Sequence, residues 1–359
     1  MFIKTVSSKI SRHSAFLLHT ELQGHVIFAA MQAINGISVV IPNYNGEMLL
    51  PQILPTVFIA LKNISIPSEI IVSDDCSIDR SAEIIKENFS QVKFLQSTTN
   101  NGFSITANSG IKAALYNWVL LLNSDVKLEP DYFMPLLKYA AKEKVFGVMG
   151  RIIGWDDEQI QDGAKYPFFH GVKIKTSGNY LLKNTEEMKE GIFTMYLSGA
   201  NAFLNKKIFL DIGGFNEMFS PFYVEDFELS LRAWRLGYVC YFDYSAVCRH
   251  KTSSTVASSQ KRKQVKKIYN RNKMFLHAIH LSAAKRKLWF VQLFAECLLH
   301  LFTLRVSFIE SVYQFMCAYK KVKKSRNRLN ELGQKKLLSV NQVADKILNA
   351  IKDKSIKKF

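Results

Sequence analysis

Short apolar runs alternate with longer amphipathic segments over the first third of this chain. Four runs rich in β-branched and aliphatic residues are typical of buried strands: 37–41, 69–73, 92–96 and 118–122. The segments between them place apolar residues at helical spacing: 47–62, 79–89 and 104–116. Strands that alternate with helices predict a parallel sheet, because a helix makes each crossover connection. We therefore predict an α/β fold with a nucleotide-sized crevice at the carboxyl ends of its strands.

Two acidic groups stand out from this apolar background. Asn123-Ser124-Asp125 ends the run at 118–122, and Glu225-Asp226 lies about a hundred residues later, after an aromatic segment. Carboxylates beside buried strands cost free energy unless a cation, a metal or a reaction uses them. Asp125 therefore suits a divalent cation that holds a diphosphate, and Asp226 suits a general base. The structural alternative for the second group is the acidic first turn of a helix, which the helix dipole favours.

The turn after the first strand reads Pro42-Asn43-Tyr44-Asn45-Gly46 and has no glycine fingerprint of a dinucleotide fold or P-loop. This weakens a dehydrogenase or P-loop kinase interpretation. Turn backbone and side chains can instead pack against a nucleotide base, with Asp74 or Asp75 accepting its N–H group. The structural alternative is that these are ordinary turn residues.

The charge of the chain is concentrated in its last third. The chain has 359 residues, of which 48% are hydrophobic, enough for one large α/β domain with an appendage. Residues 1–250 carry 23 Lys and Arg against 25 Asp and Glu, whereas residues 251–359 carry 25 against 5. A net charge of +20 in the second part predicts a surface for a polyanion, either anionic lipid or nucleic acid.

The apolar stretch at 288–319 favours lipid. Glu296, His300, Arg305 and Glu310 interrupt it, so it contains no uncharged window of the length that spans a bilayer. Amphipathic helices in the headgroup plane, followed by the basic run at 320–326, predict peripheral contact with an anionic membrane surface. The alternative is a helical hairpin packed on the main domain.

Two further features concern the ends and the compartment of the protein. Residues 1–35 match nothing that follows and are interpreted as an N-terminal extension of unknown role, with Met31 as a possible start. The five cysteines form no CxxC pair, and three of them lie in apolar surroundings. We therefore predict reduced thiols and a cytoplasmic protein.

Five motifs, by their order and spacing, resemble the family 2 glycosyltransferases, most closely their rhamnosyltransferase-like branch. They are ISVVIPNYNG (37–46), SDDCSID (73–79), NNGFSITANSGIKAA (100–114), LLLNSDV (120–126) and GGFNEMFSPFYVEDFELSLRAWRLGY (213–238). The resemblance covers about residues 36–280, and the basic helical region at 281–359 is similar to tails attached to that branch. It implies a GT-A fold, a nucleotide-diphosphate sugar donor, a divalent metal and inversion at the anomeric carbon.

The resemblance also assigns the donor side of the site. It places these residues at the nucleotide: Pro42, Tyr44, Asn45, Asp74 or Asp75, Asn101, Gly102, Asn123 and Ser124. Asp125 would bind magnesium or manganese, and His250 would complete the metal shell or touch a phosphate oxygen. Asn123 occupies the first position of the family's Asp-x-Asp pattern, so it would contribute a hydrogen bond and leave one carboxylate on the metal.

On the acceptor side, the resemblance makes Asp226 the base that removes the acceptor hydroxyl proton. Glu225 would orient Asp226 or bind the acceptor, and the loop Ser198-Gly199-Ala200-Asn201 would face the acceptor. The oxygen attacks the sugar from the face opposite the diphosphate, which inverts the anomeric carbon.

We expect a transferase that adds one sugar to a lipid-linked or cell-surface glycan precursor at the cytoplasmic face of the membrane. Processive synthases of the superfamily carry a Gln-x-x-Arg-Trp motif and several transmembrane helices, and neither occurs here. One alternative is a nucleotidyltransferase, although its Gly-rich, Arg-containing phosphate loop is missing. Another is a nucleic-acid binder, but the aromatic residues stand apart from the Lys and Arg runs, and we expect no nucleic-acid partner.

Overall fold

The computed structural model describes residues 34–251, 259–303 and 306–359. The predicted N-terminal extension at 1–35, including Met31, lies outside the described residues apart from its last two positions. Arg305, one of the four residues that interrupt the apolar stretch, also lies outside them.

The described residues contain short strands in the first two thirds and long helices in the last third. The strands are β1 Ile37–Asn43, β2 Ser68–Asp74, β3 Lys93–Gln96, β4 Trp118–Leu122, β5 Val126–Leu128, β6 Val145–Gly154, β7 Ile160–Asp162, β8 Pro167–His170, β9 Lys173–Thr176, β10 Tyr180–Leu182, β11 Ile192–Phe193, β12 Asn201–Asn205, β13 Val239–His250 and β14 Ile356–Lys358. The helices are α1 Leu50–Lys62, α2 Ser81–Asn88, α3 Phe103–Ala113, α4 Thr185–Lys189, α5 Lys206–Asp211, α6 Glu225–Arg235, α7 Ser259–His280, α8 Ala283–Phe302, α9 Val306–Cys317, α10 Tyr319–Gly333 and α11 Val340–Asn349. Three 3₁₀ segments accompany them: Met134–Ala141, Glu217–Phe219 and Gln334–Lys336.

One mixed sheet organises the molecule, in the order β11-β13-β6-β12-β4-β1-β2-β3. Strands β4, β1, β2 and β3 are parallel, and β12 joins β4 to β6 in antiparallel fashion. The predicted α/β fold class is confirmed. Strand β4 has the predicted bounds, whereas β1 continues through Pro42 and Asn43, which pair with Ser73 and Asp74. This continuation sets the turn after β1 directly beside the turn after β2.

The two faces of the sheet are covered by different helices. Val39 and Ile41 of β1 pack with Leu54 and other residues of α1 on one face. Val40, one position along, packs on the other face with residues of α3 such as Ile111. Neighbouring residues of a strand point to opposite faces, and a strand covered on both faces is apolar throughout. This explains why the core strands read as continuous apolar runs.

The C-terminal helices share the core of the sheet domain. Trp289 of α8, Phe315 of α9, Val322 of α10 and Val343 of α11 are buried in the same cluster as Trp234 of α6. Burial of an aliphatic or aromatic side chain of this size contributes about 1.5–3 kcal/mol. The helices therefore pack on the domain, as in the hairpin alternative, and the boundary at 280 remains a prediction.

Helix α6 and the C-terminal region are also joined by buried polar contacts. Glu228 accepts hydrogen bonds from Arg232 Nη2 at 2.6 Å and Nε at 3.1 Å, and its Oε1 lies 3.3 Å from Nε2 of His280 in α7. Burial opposes ionisation of Glu228, but the charge of Arg232 and the hydrogen bonds of Arg232 and His280 together outweigh it and lower the pKa of this carboxyl to about 2. These contacts fix α6 against α7. Within the described residues, no helix combines the length and apolarity needed to cross a bilayer.

Candidate active site

A cleft of about 360 Å³ lies at the carboxyl ends of β1, β2 and β4. Its walls come from the turns after these strands, the start of α3 and the loop before α6: Pro42, Asn43, Tyr44, Asp75, Asn100, Gly102, Phe103, Thr106, Asn123, Ser124, Asp125, Pro221 and Phe222. The parallel strands bring together residues that are far apart in the chain, because their carboxyl ends share one edge. Seven of the predicted donor-side residues line this cleft: Pro42, Tyr44, Asp75, Gly102, Asn123, Ser124 and Asp125.

Asp74 and Asn45 hold the loops of the cleft and do not line it. Both carboxylate oxygens of Asp74 accept hydrogen bonds from Ser77, and Asn43 Nδ2 donates to Oδ1 at 2.8 Å. Asn45 accepts from the backbone N–H of Ile78 at 3.0 Å. These contacts connect the turn after β1 to the turn after β2. Of the two alternatives that the sequence left open, Asp75 is the one that lines the cleft.

Asp75 links the second strand to the start of α3. Its Oδ1 accepts from the backbone N–H of Asn101 at 2.7 Å, and its Oδ2 accepts from that of Gly102 at 2.8 Å. The side chain of Asn101 turns back to Ser97 and to the carbonyl of Thr99, so Asn101 contributes its backbone and Asn100 lines the cleft. A carboxylate has lone pairs for further donors, so Asp75 can still accept from a base.

Gly102 allows a close approach between two loops. Its φ of +84° lies in a region that favours glycine, and a Cβ here would stand 2.7 Å from Pro221 Cα. The carbonyl of Pro221 accepts from the N–H of Phe103 at 3.0 Å. The loop before α6 is thus held directly against the start of α3, which closes this side of the cleft.

Asp125 and His250 meet at the end of β4. Oδ2 of Asp125 lies 3.4 Å from Nε2 of His250, because β5 and β13 pair Val126 with His250. Oδ1 of Asp125 is buried and has no hydrogen-bond partner. The hydrogen bond to Asp125 raises the pKa of His250. Nδ1 of His250 donates to Gln161 Oε1 at 2.8 Å, which sequence reasoning missed because β7 lies in the weakly patterned region.

This pair has the donor chemistry of a divalent-metal site. Carboxylate oxygen suits magnesium and manganese, and such ions keep water and substrate phosphates as their remaining ligands. An unpartnered buried carboxylate oxygen fits a cation at this position. The residues that the structure describes contain no group of three or more His, Cys, Asp or Glu side chains able to hold a metal. A metal here would depend on phosphate and water ligands as well as on Asp125 and His250.

Glu225 and Asp226 are the first two residues of α6, so the acidic first turn of the structural alternative is present. Neither residue lines the 360 Å³ cleft. Asp226 Oδ2 accepts from Gly199 N–H at 3.4 Å, and the adjacent Ala200 carbonyl accepts from Asn123 N–H at 3.0 Å. The predicted acceptor-side loop thus connects Asp226 to the end of β4, which brings the second acidic group to the border of the cleft.

The acidic pair is electrostatically unusual for an exposed helix start. Burial raises the pKa of Asp226 well above the range of an ordinary carboxyl. Burial and the charge of Asp226 together raise the pKa of Glu225, whose Oε2 is buried without a partner. Carboxyl groups with raised pKa values are typical of acid–base sites. The pKa values of both carboxyls of the pair are therefore raised.

Three residues beside Asp226 were not predicted from the sequence. Lys165 lowers and Asp162 raises the pKa of Asp226, so both charges lie close to it. Nζ of Lys165 also stands 4.8 Å from the ring centroid of Tyr196. These residues come from the segment between β6 and β12, where the sequence pattern is weakest. Pro221 and Phe222 also line the cleft, and the aromatic segment before Glu225 was the feature of the sequence that pointed to them.

Comparison with protein families and curated proteins gives consistent matches. The family model described as Glycosyl transferase family 2 matches residues 38–213, which contain the donor-side residues other than His250 and end before Glu225. An undecaprenyl-phosphate 4-deoxy-4-formamido-L-arabinose transferase of Pectobacterium carotovorum subsp. carotovorum (strain PC1) is 34% identical over 113 residues, 30% of this chain and 35% of that protein. An N-acetylglucosaminyl-diphospho-decaprenol L-rhamnosyltransferase of Mycobacterium tuberculosis (strain CDC 1551 / Oshkosh) is 24% identical over 211 residues, 53% of this chain and 68% of that protein. The matches to the first relatives span about a third of those proteins' length.

Among solved structures, GalNAc-T7 with UDP, GalNAc and Mn²⁺ matches with a TM-score of 0.55. The sequences are 17% identical, and the match covers 70% of this chain and 49% of that one. This likeness concerns the fold, and with the family match it confirms the predicted GT-A architecture.

Proposed function

The chain is a family 2 glycosyltransferase by its residues 38–213, and on this premise we propose that it is an inverting, metal-dependent enzyme. Its donor is a nucleotide-diphosphate sugar, and it moves one sugar to a hydroxyl group of a lipid-linked or cell-surface glycan precursor. Both acidic groups of the sequence are used in this proposal. Asp125 belongs to the donor side, and Asp226 belongs to the acceptor side.

The observation that carries the proposal is the meeting of these two groups at one edge of the sheet. Asp125 lines the cleft with a buried, unpartnered carboxylate oxygen. Asp226 is connected to the same edge through Gly199 and Ala200. A displacement at the anomeric carbon needs a leaving-group side and an attacking side. Asp125 lines the cleft and Asp226 lies at its border, so we assign the leaving-group side to Asp125 and the attacking side to Asp226, with the sugar between them.

On the donor side, Asp125 and His250 would hold a magnesium or manganese ion. Such an ion supplies positive charge that stabilises a departing diphosphate. Pro42 and Tyr44 pack against the nucleoside, and Asp75 accepts a hydrogen bond from it. Gln161 keeps the imidazole of His250 oriented, since its oxygen accepts the hydrogen bond of Nδ1–H and Nε2 then faces Asp125; with the ion bound, Nε2 would be unprotonated and would face the ion. The solved GalNAc-T7 structure with UDP and Mn²⁺ supports this donor class.

On the acceptor side, Asp226 removes the proton of the attacking hydroxyl. Burial raises its pKa, which makes it a stronger base than an ordinary aspartate. Glu225 in its protonated form can donate a hydrogen bond to the acceptor or orient Asp226. Attack from the side opposite the diphosphate inverts the anomeric carbon.

A panel of nucleotide sugars tests the donor class. We expect one nucleoside diphosphate and its sugar conjugate to bind in isothermal titration, more tightly with manganese than with a chelator. Metal binding that depends on substrate phosphates explains the difference. If a folded sample binds none of the nucleotides under either condition, the transferase proposal fails.

The acceptor class is supported by a second surface. Helices α8 and α9 expose a row of large apolar side chains: Leu288, Val291, Phe294, Leu298, Leu299, Leu301, Phe302, Val306, Tyr313 and Met316. Opposite this row, Trp289 and Leu293 of α8 are buried against the domain. Contiguous exposed apolar surface of this kind marks an interaction site. Lysines exposed on α10 add attraction for anionic lipid headgroups.

We propose that this face lies on an anionic membrane, as an enzyme with a lipid-linked acceptor requires. The relatives named above are transferases for undecaprenyl-phosphate and decaprenol substrates, which supports a lipid-linked acceptor. Apolar burial at the headgroup boundary, with basic residues beside it, is the binding mode of interfacial helices. The proposed location is the cytoplasmic face of the cell membrane.

Sedimentation with lipid vesicles tests this surface. We expect the protein to pellet with phosphatidylglycerol vesicles, less with phosphatidylcholine vesicles, and less as salt rises. A double substitution of Phe294→Ser and Phe302→Ser, which are 64% and 87% exposed, should remove most pelleting without loss of nucleotide binding. Leu115→Ser is the matched control, because Leu115 is 69% exposed on the body of the domain.

Three outcomes would contradict the membrane surface. One is that wild type does not pellet with anionic vesicles. Another is that a single-stranded oligonucleotide competes fully for the same face. The third is that the double substitution converts a dimer into a monomer in light scattering, which would show that a second copy covers these helices.

A further inference from the structure

The loop before the acidic pair is held from outside by two neighbouring residues of α7. Asn272 is fully buried, and its Nδ2 lies 2.7 Å from the Phe219 carbonyl, 2.8 Å from that of Tyr223 and 3.1 Å from that of Phe222. Its neighbour Arg271 donates from Nη2 to the Ser220 carbonyl at 2.6 Å. Two adjacent side chains therefore bind four of the five consecutive carbonyl groups at 219–223.

The two side chains also fix each other. Oδ1 of Asn272 accepts from Nε of Arg271 at 3.0 Å and from its Nη2 at 2.9 Å. Since the oxygen of Asn272 is used by Arg271, its amide nitrogen must face the loop. This internal contact sets the orientation of the carboxamide and makes the pair specific for backbone carbonyls.

The loop that they hold has a conformation that it would not adopt alone. Tyr223 has a φ of +75° and Val224 a φ of +74°, both in the left-handed region. A branched residue such as valine is rarely found there, and such residues persist only where surrounding contacts determine them. Val224 is followed directly by Glu225 and Asp226. The direction in which the acidic pair leaves the loop therefore depends on these two unusual residues.

The same loop reaches the donor side. Pro221 and Phe222 line the cleft, and Pro221 is packed on Gly102. One end of the loop thus shapes the donor wall, and the other end carries the proposed base. A shift of the loop would move the base relative to the sugar.

We propose that Asn272, with Arg271, is a positioning residue for transfer, which sets the acidic pair at the correct distance from the donor. The inference rests on the proposed function of Asp226. It gives α7, the first long helix after the sheet, a part in the active site that acts through this loop. Displacement of a reacting group by about 1 Å can cost about 10²-fold in rate.

Substitutions at these two positions test the proposal. Asn272→Asp keeps the size of the side chain but replaces the donor with a carboxylate that faces three carbonyl oxygens. We expect Asn272→Ala and Asn272→Asp to lower kcat for transfer by about 10²-fold, with a much smaller change in nucleoside diphosphate affinity. Arg271→Ala should show a partial loss, and Arg271→Lys should recover it in part, because lysine keeps a donor for Ser220. Asn327→Ala, on the exposed face of α10, is the matched control and should transfer normally.

Two readouts separate positioning from a general loss of structure. Hydrogen exchange at 219–226 should accelerate in Asn272→Ala, while exchange in β1 and β4 stays unchanged. The acidic limb of the transfer rate should also move to lower pH, because a loosened loop admits water to Asp226 and reduces the burial that raises its pKa.

Wild-type kcat and an unmoved pH profile in both Asn272 variants would overturn the proposal. Faster exchange throughout the sheet, with loss of transfer, would also overturn it, since Asn272 would then serve stability alone. A failure of the proposed function has a different signature. In that case wild type binds no nucleotide or Asp226→Asn transfers normally, while local exchange at 219–226 still reports whether Asn272 holds the loop.

Discussion

Asp226→Asn should lose transfer activity by about 10²–10⁴-fold, the usual contribution of a general base. Asparagine has the same shape and can keep the contact with Gly199, but it cannot accept the acceptor hydroxyl proton. The loss should fall on kcat, with the nucleotide affinity unchanged, because Asp226 does not line the donor cleft. Initial rates at saturating donor and acceptor, together with titration of the nucleoside diphosphate, measure the two effects separately. If Asp226→Asn transfers sugar as fast as wild type, Asp226 is not the general base.

The transfer rate should also depend on pH in a defined direction. A base acts when ionised, so the rate falls as pH drops through its pKa, and burial places the pKa of Asp226 above the ordinary carboxyl range. The acidic limb should therefore lie at higher pH than for an exposed aspartate, and it should vanish in Asp226→Asn. Asp162→Asn should move the limb to lower pH, because the charge of Asp162 raises the pKa of Asp226. A limb that persists unchanged in Asp226→Asn would belong to another group.

Asp125→Ala should abolish the metal-dependent part of nucleotide binding. Loss of an outer-sphere partner of a metal ligand costs about 10–100-fold in metal affinity, and loss of the ligating carboxylate should cost more. The fold should tolerate the change, since Oδ1 of Asp125 has no partner to lose and Nε2 of the partly exposed His250, which faces Oδ2, can bind water instead. Titration of nucleoside diphosphate with manganese and with a chelator gives the result, and thermal unfolding verifies the fold.

Two control variants accompany Asp125→Ala. Asp131→Ala removes an exposed carboxylate six residues along the chain and should leave manganese-dependent binding intact. Gln161→Ala removes the partner of His250 Nδ1 and should weaken manganese binding by about 10–100-fold, less than Asp125→Ala does. If manganese increases nucleotide binding equally in Asp125→Ala and wild type, Asp125 is not a metal ligand.

Much of the fold was predictable because its strands are covered on both faces. The run at 118–122 is apolar throughout and became β4 with the same bounds. The helix ends were less well defined: the segment at 47–62 became α1 from Leu50, because the positions before it form a turn that bonds to the segment after β2, at Asp79 and Ser81. Local apolar pattern reports burial well and reports loop contacts poorly.

The donor side of the site was also largely predictable. Parallel strands expose their carboxyl ends at a common edge, so polar residues after β1, β2 and β4 had to be neighbours there. The pattern could not separate Asp74 from Asp75. Asp74 accepts hydrogen bonds from Ser77 and Asn43 inside the loops, whereas Asp75 lines the cleft. That choice depends on loop hydrogen bonds between residues about thirty positions apart.

The amino-acid sequence by itself determined the α/β class, the strand order in the chain and the chemical types at the strand ends, because alternation and burial are local properties of the chain. Tertiary structure decided which of those groups meet. It paired Asp125 with His250 through β5 and β13, and it held Asp226 at the border of the cleft through Gly199. It also packed the C-terminal helices on the domain and set Asn272 against the loop before Glu225. Such contacts join segments that are far apart in the chain, and no periodic pattern in the sequence reports them.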